Sequence, residues 1–153
     1  MTTLSARHLH SHEGKTYRLG RITIIFKTAA NEDSAFTLCE AIEPPGAGAS
    51  RHRHGYDEAF RILEGRYEFE LGVNGEERRN LGPGETLFVP RGTAHAFKSL
   101  GPDSGRQLII STPAGIFDAF IDEVAGAMAL SSASQPTVDF RVIAARHGIE
   151  FLS

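Results

Sequence analysis

The chain has 153 residues, a formal charge of −3, and 41% hydrophobic and 23% charged residues. That length allows one domain with a core of its own, and the near-neutral balance, with no basic stripe, excludes an electrostatic case for nucleic acid. No run nears the roughly 20 apolar residues of a membrane span, the N-terminal MTTLSARHLHSHEG carries no apolar export segment, and the lone Cys39 cannot close an internal disulfide, so a cytoplasmic protein away from membranes is the expectation.

Residues 1–16 show no sustained pattern and are expected to form a loose N-terminal arm. From Tyr17 onward the segments RITIIFK and FTLCEAI read as strands, rich in β-branched and aromatic residues, with AANEDS supplying a polar turn between them. Cys39 falls in the second strand, where a buried, inert thiol is expected. PPGAGASRHRHG opens on two prolines, so its first half is expected to be loop. AFRILEG and YEFELGV resume the strand pattern. Asn74-Gly75 suits the left-handed dihedrals of a tight hairpin joining YEFELGV to EERRNL as antiparallel neighbours. LGPGE is another turn, and TLFVP, AHAFKSL and RQLIIST complete a series of short strands. Many short strands broken by Gly and Pro, with no long helical pattern between them, point to an all-β sandwich or barrel over residues 17–112.

The pattern changes at Pro113. Ile116, Phe117, Phe120, Ile121 and Val124 recur at helical spacing, leaving Asp118, Asp122 and Glu123 for water. After the linker SSASQPT, VDFRVIAARHGIEFL gives a second helical stretch that stops near His147-Gly148. Residues 113–153 are therefore expected to be a C-terminal helical extension covering the outside of the barrel.

The chemistry lies in RHRHGYDE. On a strand, alternate side chains face the same way, so His52 and His54 share one face and Arg51 and Arg53 the other. Glu58 can return to the same site after a turn at Gly55, and His95 follows VPRGTA on another strand. Three imidazoles and a carboxylate form a mixed donor set suited to Fe, Mn, Ni, Co, Cu or Zn. Each residue also has an ordinary alternative: a satisfied core histidine, or a solvated charge at a strand end. His8, His10 and His12 alternate in the same way but lie in the arm, without a rigid carboxylate beside them, and ordinary surface exposure is expected there.

The sequence resembles the cupin family. Gly46, His52, His54, Glu58 and Gly65 match its first motif, and Gly84, Pro90, Gly92 and His95 match its second, with Ser99 where the pattern has Asn. The resemblance spans roughly residues 17–112 and leans toward small single-domain (monocupin) proteins of the quercetin-dioxygenase-like type. It implies a cupin-type double-stranded β-helix, or jelly-roll barrel, with short C-terminal helices. It also implies one divalent transition metal held by His52, His54, Glu58 and His95, and a homodimer. The four matching glycines are read as turn residues, since neither a GxxxxGK pattern nor a strand–GxGxxG–helix context is present.

The expected function is a metal-dependent enzyme, dioxygenase-like, acting on a hydroxylated or enolisable cyclic small molecule. Glu58 is both ligand and candidate proton acceptor, two roles that compete. Tyr56, expected to be accessible, is the second candidate catalytic residue, and Arg61 a candidate polar contact to substrate. Phe60, Phe69, Phe88 and Phe97 are expected in the core, with one or two lining a cavity. The alternatives are a non-catalytic metal-dependent binding module, an isomerase or decarboxylase, or a barrel that its metal merely stabilises.

Overall fold

The computed structural model describes residues 5–28, 34–131 and 139–152. Its elements, in chain order, are β1 (Lys15–Leu19), β2 (Ile22–Phe26), β3 (Thr37–Glu43), β4 (Gly48–His54), β5 (Asp57–Glu64), β6 (Tyr67–Leu71), β7 (Glu77–Leu81), β8 (Thr86–Val89), β9 (His95–Ser99), β10 (Gly105–Thr112), α1 (Ile116–Leu130), α2 (Phe140–Arg146) and β11 (Ile149–Phe151). The strands form two antiparallel sheets in the orders β1-β2-β3-β10-β5-β8 and β11-β4-β9-β6-β7. This is the all-β double-stranded β-helix expected, with two helices after it.

Alternation decides what each sheet buries. On β5, Glu58, Phe60 and Ile62 point inward, while Arg61 and Leu63 face solvent. Facing inward from the partner sheet, Tyr67 and Phe69 of β6 complete a core that also holds Phe26, Cys39, Val89 and Ile109. The aromatic rings stack through this interior: Phe60 lies 5.1 Å from Phe69 and 5.5 Å from Phe97 between ring centres. Phe88 is a correction, because its position on β8 turns it outward and leaves it 61% exposed.

Three further results concern turns and ends. β6 and β7 pair as expected, but the connection from Gly72 to Glu76 is longer than a two-residue turn and closes through Gly75 N–H donating to Gly72 O at 3.0 Å. β1 begins at Lys15 and forms a hairpin with β2 that the sequence pattern did not suggest. The chain also ends in a strand: β11 pairs antiparallel with β4, setting Ile149 beside His54 and Phe151 beside His52. The AANEDS turn, apart from Ser34, and the linker after Ser131 lie outside the described residues.

α1 follows the expected stripe, burying Ile121 and Val124. Asp118 is not available to water. It is buried on the same helix and accepts a hydrogen bond from Thr37 Oγ1 at 3.4 Å. Asp139 caps α2 by accepting from Arg141 N–H at 3.0 Å. Gly148, at φ 70, then takes the left-handed turn that sends the chain into β11. α1 and α2 are joined by Glu123, which accepts from His147 Nε2 at 2.5 Å and pairs with Arg146.

Candidate metal centre

His52 and His54 project from the inner face of β4, and the Arg51 and Arg53 side chains leave from its outer face to pair with Glu70 at 3.0 Å and Glu150 at 2.8 Å. The turn at Gly55 reverses the chain, and β5 brings Glu58 back to the same interior. β9 runs beside β4 with His95 directly opposite His52. The four candidate ligand atoms lie within 4.8 Å of one another, and all four residues are buried. Among the described residues this is the cluster whose donors converge in that way; His8, His10 and His12 are exposed.

Each imidazole is oriented by the backbone. His52 Nδ1 lies 2.8 Å from Ser50 O, His54 Nδ1 3.0 Å from Tyr56 O, and His95 Nδ1 2.9 Å from Thr93 O. A carbonyl can only accept, so each Nδ1 carries a proton and each Nε2 turns inward. This is the outer hydrogen bond typical of a metal-ligating histidine. Glu58 Oε1 then sits 2.6 Å from His54 Nε2 and 3.2 Å from His95 Nε2.

Neutral rings protonated at Nδ1 would present lone pairs to that carboxylate. The cluster is satisfied only by extra protons on the rings or by a cation shared among them. Burial, and then the neighbouring His95, push the His52 imidazole down to about 4, which keeps it neutral and available as a donor of electrons. Burial works to raise Glu58, but hydrogen bonding to His54 and His95 outweighs it and holds the carboxylate at about 2. An ionised carboxylate among buried imidazoles fits a divalent transition metal, for which these four side chains would supply the ligands.

Tyr56 corrects the expectation of accessibility. It is 2% exposed and stacks flat on His54, with ring centres 3.6 Å apart and planes within 3°. Arg61 is corrected too, since it points away from the interior on the outer face of β5. Of the phenylalanines, Phe60 and Phe97 line a cavity of about 150 Å³ beside the cluster, together with His52, Tyr56 and Glu58. Apart from Glu43, its remaining wall is apolar and includes Ile24, Ile109, Phe117 and Phe151. A wider cavity of about 550 Å³ lies outside, and Leu19, Ile22, Ala49, Phe120, Ile121 and Phe151 line both. The cluster therefore faces an inner chamber with an outer vestibule between α1, α2 and β4.

Sequence reasoning missed the contribution of the C-terminal segments. Phe117, Phe120 and Ile121 of α1 and Ile149 and Phe151 of β11 close the chamber, and Phe151 lies 5.5 Å from the His52 ring. It also missed Glu43, which is buried on the chamber wall. A signal was present. Glu43 lies an even number of positions beyond Cys39 on β3, so burial of Cys39 puts Glu43 on the same inward face.

Comparison with known proteins bears on the fold. Residues 40–111 match the cupin domain family. No curated protein matches the chain in sequence. Among solved structures it is similar to the polyketide cyclase RemF from Streptomyces resistomycificus, at 22% identity over 71% of this chain and 80% of that one, with a TM-score of 0.62. It is similar to KdgF from Halomonas sp., at 22% identity over 68% of this chain and 92% of that one, with a TM-score of 0.59. The cupin domain of Schizosaccharomyces pombe Cnp3 is 16% identical over 69% of this chain and 72% of that one, with a TM-score of 0.56. At these identities the likeness is one of fold. Residues 40–111 thus match the cupin domain, and these neighbours share its fold.

Proposed function

We propose that the protein is a metal-dependent enzyme of the quercetin-dioxygenase-like type, acting on a hydroxylated or enolisable cyclic small molecule. The observation that carries this reading is the placement of the cluster beside a mainly apolar chamber, with His52 and Glu58 on its wall. A metal held only to stabilise the fold would need no such space. A redox-active ion bound there would supply Lewis acidity toward a substrate oxygen and a means of engaging dioxygen.

The chain's own residues supply the rest. The apolar walls keep water from a polarised substrate and strengthen electrostatic interactions inside. Burial pushes the Tyr56 hydroxyl well up from its ordinary value, so it stays protonated and acts as a hydrogen-bond donor in the chamber. Glu58, held at about 2, is a weak proton acceptor, which favours its role as ligand over its role as base. A homodimer across the outer face of the β3-β10-β5-β8 sheet, where Phe88 and Ile110 are exposed, belongs to the same reading. Sedimentation equilibrium should then give twice the 16.6 kDa of one chain.

The test is oxygen uptake by separately prepared Fe, Mn, Ni, Co and Cu forms offered flavonols, catechols and cyclic diketones, with product mass measured. Oxygen consumption matched by oxygen gained in the product is the expected result. Tight binding without consumption in every form would replace the reading with a binding module. Metal-dependent isomerisation or decarboxylation without oxygen would keep an enzyme and reject dioxygenation.

A further inference from the structure

Glu43 is a carboxyl with no part in the cluster, 1% exposed, at the inward-facing end of β3. Both of its hydrogen bonds among the described residues fall on one oxygen: Gln107 Nε2 donates to Oε1 at 2.8 Å and Tyr67 Oη at 3.2 Å. Neither partner is charged. Glu43 lines the chamber, whereas Gln107 and Tyr67 stand behind it. The arrangement is closely built. Gly105 lies directly opposite Glu43 on β10, and a Cβ there would strike the Tyr67 ring and hydroxyl, at 2.5 to 2.6 Å. Gln107 Oε1 is buried without a hydrogen-bond partner among the described residues, so this pole of the interior holds more polarity than the protein satisfies.

The two poles lie far apart. Thr37 shares a row with Ser111 and Glu58 across β3, β10 and β5, and Glu43 is six positions farther along β3. Six strand residues span about 20 Å, and Glu43 and Glu58 both line the chamber. Between them the wall is Ile24, Ala41, Phe60, Phe97 and Ile109. A cavity of ~150 Å³ with apolar walls is known to take an aromatic ring.

We propose that the chamber reads its ligand at both ends: the metal cluster takes one oxygen of a flat apolar molecule, and Glu43 Oε2 takes a hydroxyl at the opposite end. Glu43 is thus a specificity-determining residue that selects dihydroxylated rings over monohydroxylated ones. Burial raises the Glu43 carboxyl to about 7 against the pull of the Gln107 and Tyr67 bonds. At and above that pH the carboxylate accepts a hydrogen bond from a ligand hydroxyl in a dry site, an interaction stronger than one between neutral groups. The inference rests on the metal-binding part of the proposed function but not on dioxygen chemistry.

The experiment is calorimetric titration, at pH 8, of protein loaded with one equivalent of Zn²⁺, using 2,6-dihydroxynaphthalene and 2-naphthol as probes. The wild-type chain is expected to bind the diol at least about tenfold more tightly. Glu43→Gln, which keeps the side-chain shape, should cut that preference severalfold, and Glu43→Leu should abolish it. Both variants should retain full zinc, and the quantity read is the ratio of the two affinities within each variant. An undiminished preference in Glu43→Gln overturns the inference even if Glu43→Leu fails to fold, and so does equal binding of the two probes by the wild-type chain. Oxygen uptake judges the reaction separately: selective binding without oxygen consumption sinks the dioxygenase reading and leaves this inference standing.

Discussion

His54 shows how much a single side chain is asked to do. Its Nδ1 is fixed by the Tyr56 carbonyl, its ring is covered by the Tyr56 ring, and its Nε2 faces Glu58. Replacing it with Ala should weaken metal binding by more than the roughly 10–100-fold caused by losing an outer-shell partner. His10→Ala should leave metal content unchanged, as read by elemental analysis after dialysis. Glu43 yields a second prediction, on stability. Its carboxyl lies at about 7 in the folded chain, against an ordinary 4.5, so the native state holds the proton more tightly than the unfolded state. Stability due to this group is full below about pH 4.5 and is lost as pH rises through 7, by on the order of 3 kcal/mol. His52 works in the opposite direction: its folded value of about 4 makes stability rise with pH between 4 and 6.5. Subtracting the denaturation curves of metal-free Glu43→Gln from those of the wild-type chain cancels the His52 contribution. The difference should decline between pH 4.5 and 7, and a flat difference would refute the buried-acid assignment.

At the scale of elements, α1 does two jobs: Ile121 and Val124 are buried, and Phe117, Phe120 and Ile121 wall the chamber. Ile121→Ala should cost about 2–5 kcal/mol in urea denaturation through the cavity it leaves, whereas Leu130→Ala, at an 80% exposed position, should stay within ~0.5 kcal/mol. The helix stripe was readable because five apolar residues recur at one period. Asp118 was not, since its burial depends on Thr37 reaching it from a distant strand. β11 was hidden for a related reason. Three residues are too few to show alternation, and what makes IEF a strand is the free edge of β4. Tyr56 looked exposed because it follows Gly55 in a polar stretch, and only the return of β5 folds it over His54.

At the scale of the molecule, the four-residue cluster was legible because His52, His54 and Glu58 sit at short spacings on strands whose faces alternate, while the distant His95 came from the resemblance. The chamber was not, because its walls come from β1, β2, β3, α1 and β11, which meet only in three dimensions. Glu43 lies between these cases: its face followed from Cys39, but its role followed only once Gln107, Tyr67 and the chamber stood around it. The Tyr56→Phe variant tests the same enclosure. It should keep the ring stacked on His54 and the metal content unchanged while altering turnover or substrate preference, read from steady-state kinetics beside elemental analysis. Everything at this scale depends on one ion at one place. Anomalous diffraction at the metal absorption edge, from crystals of untagged protein purified without added metal, tests that most directly. A single strong peak per chain is expected, roughly 2.0–2.2 Å from the Nε2 atoms of His52, His54 and His95 and from the Glu58 carboxylate. An absent peak, or one seated instead at His8, His10 and His12, would contradict it.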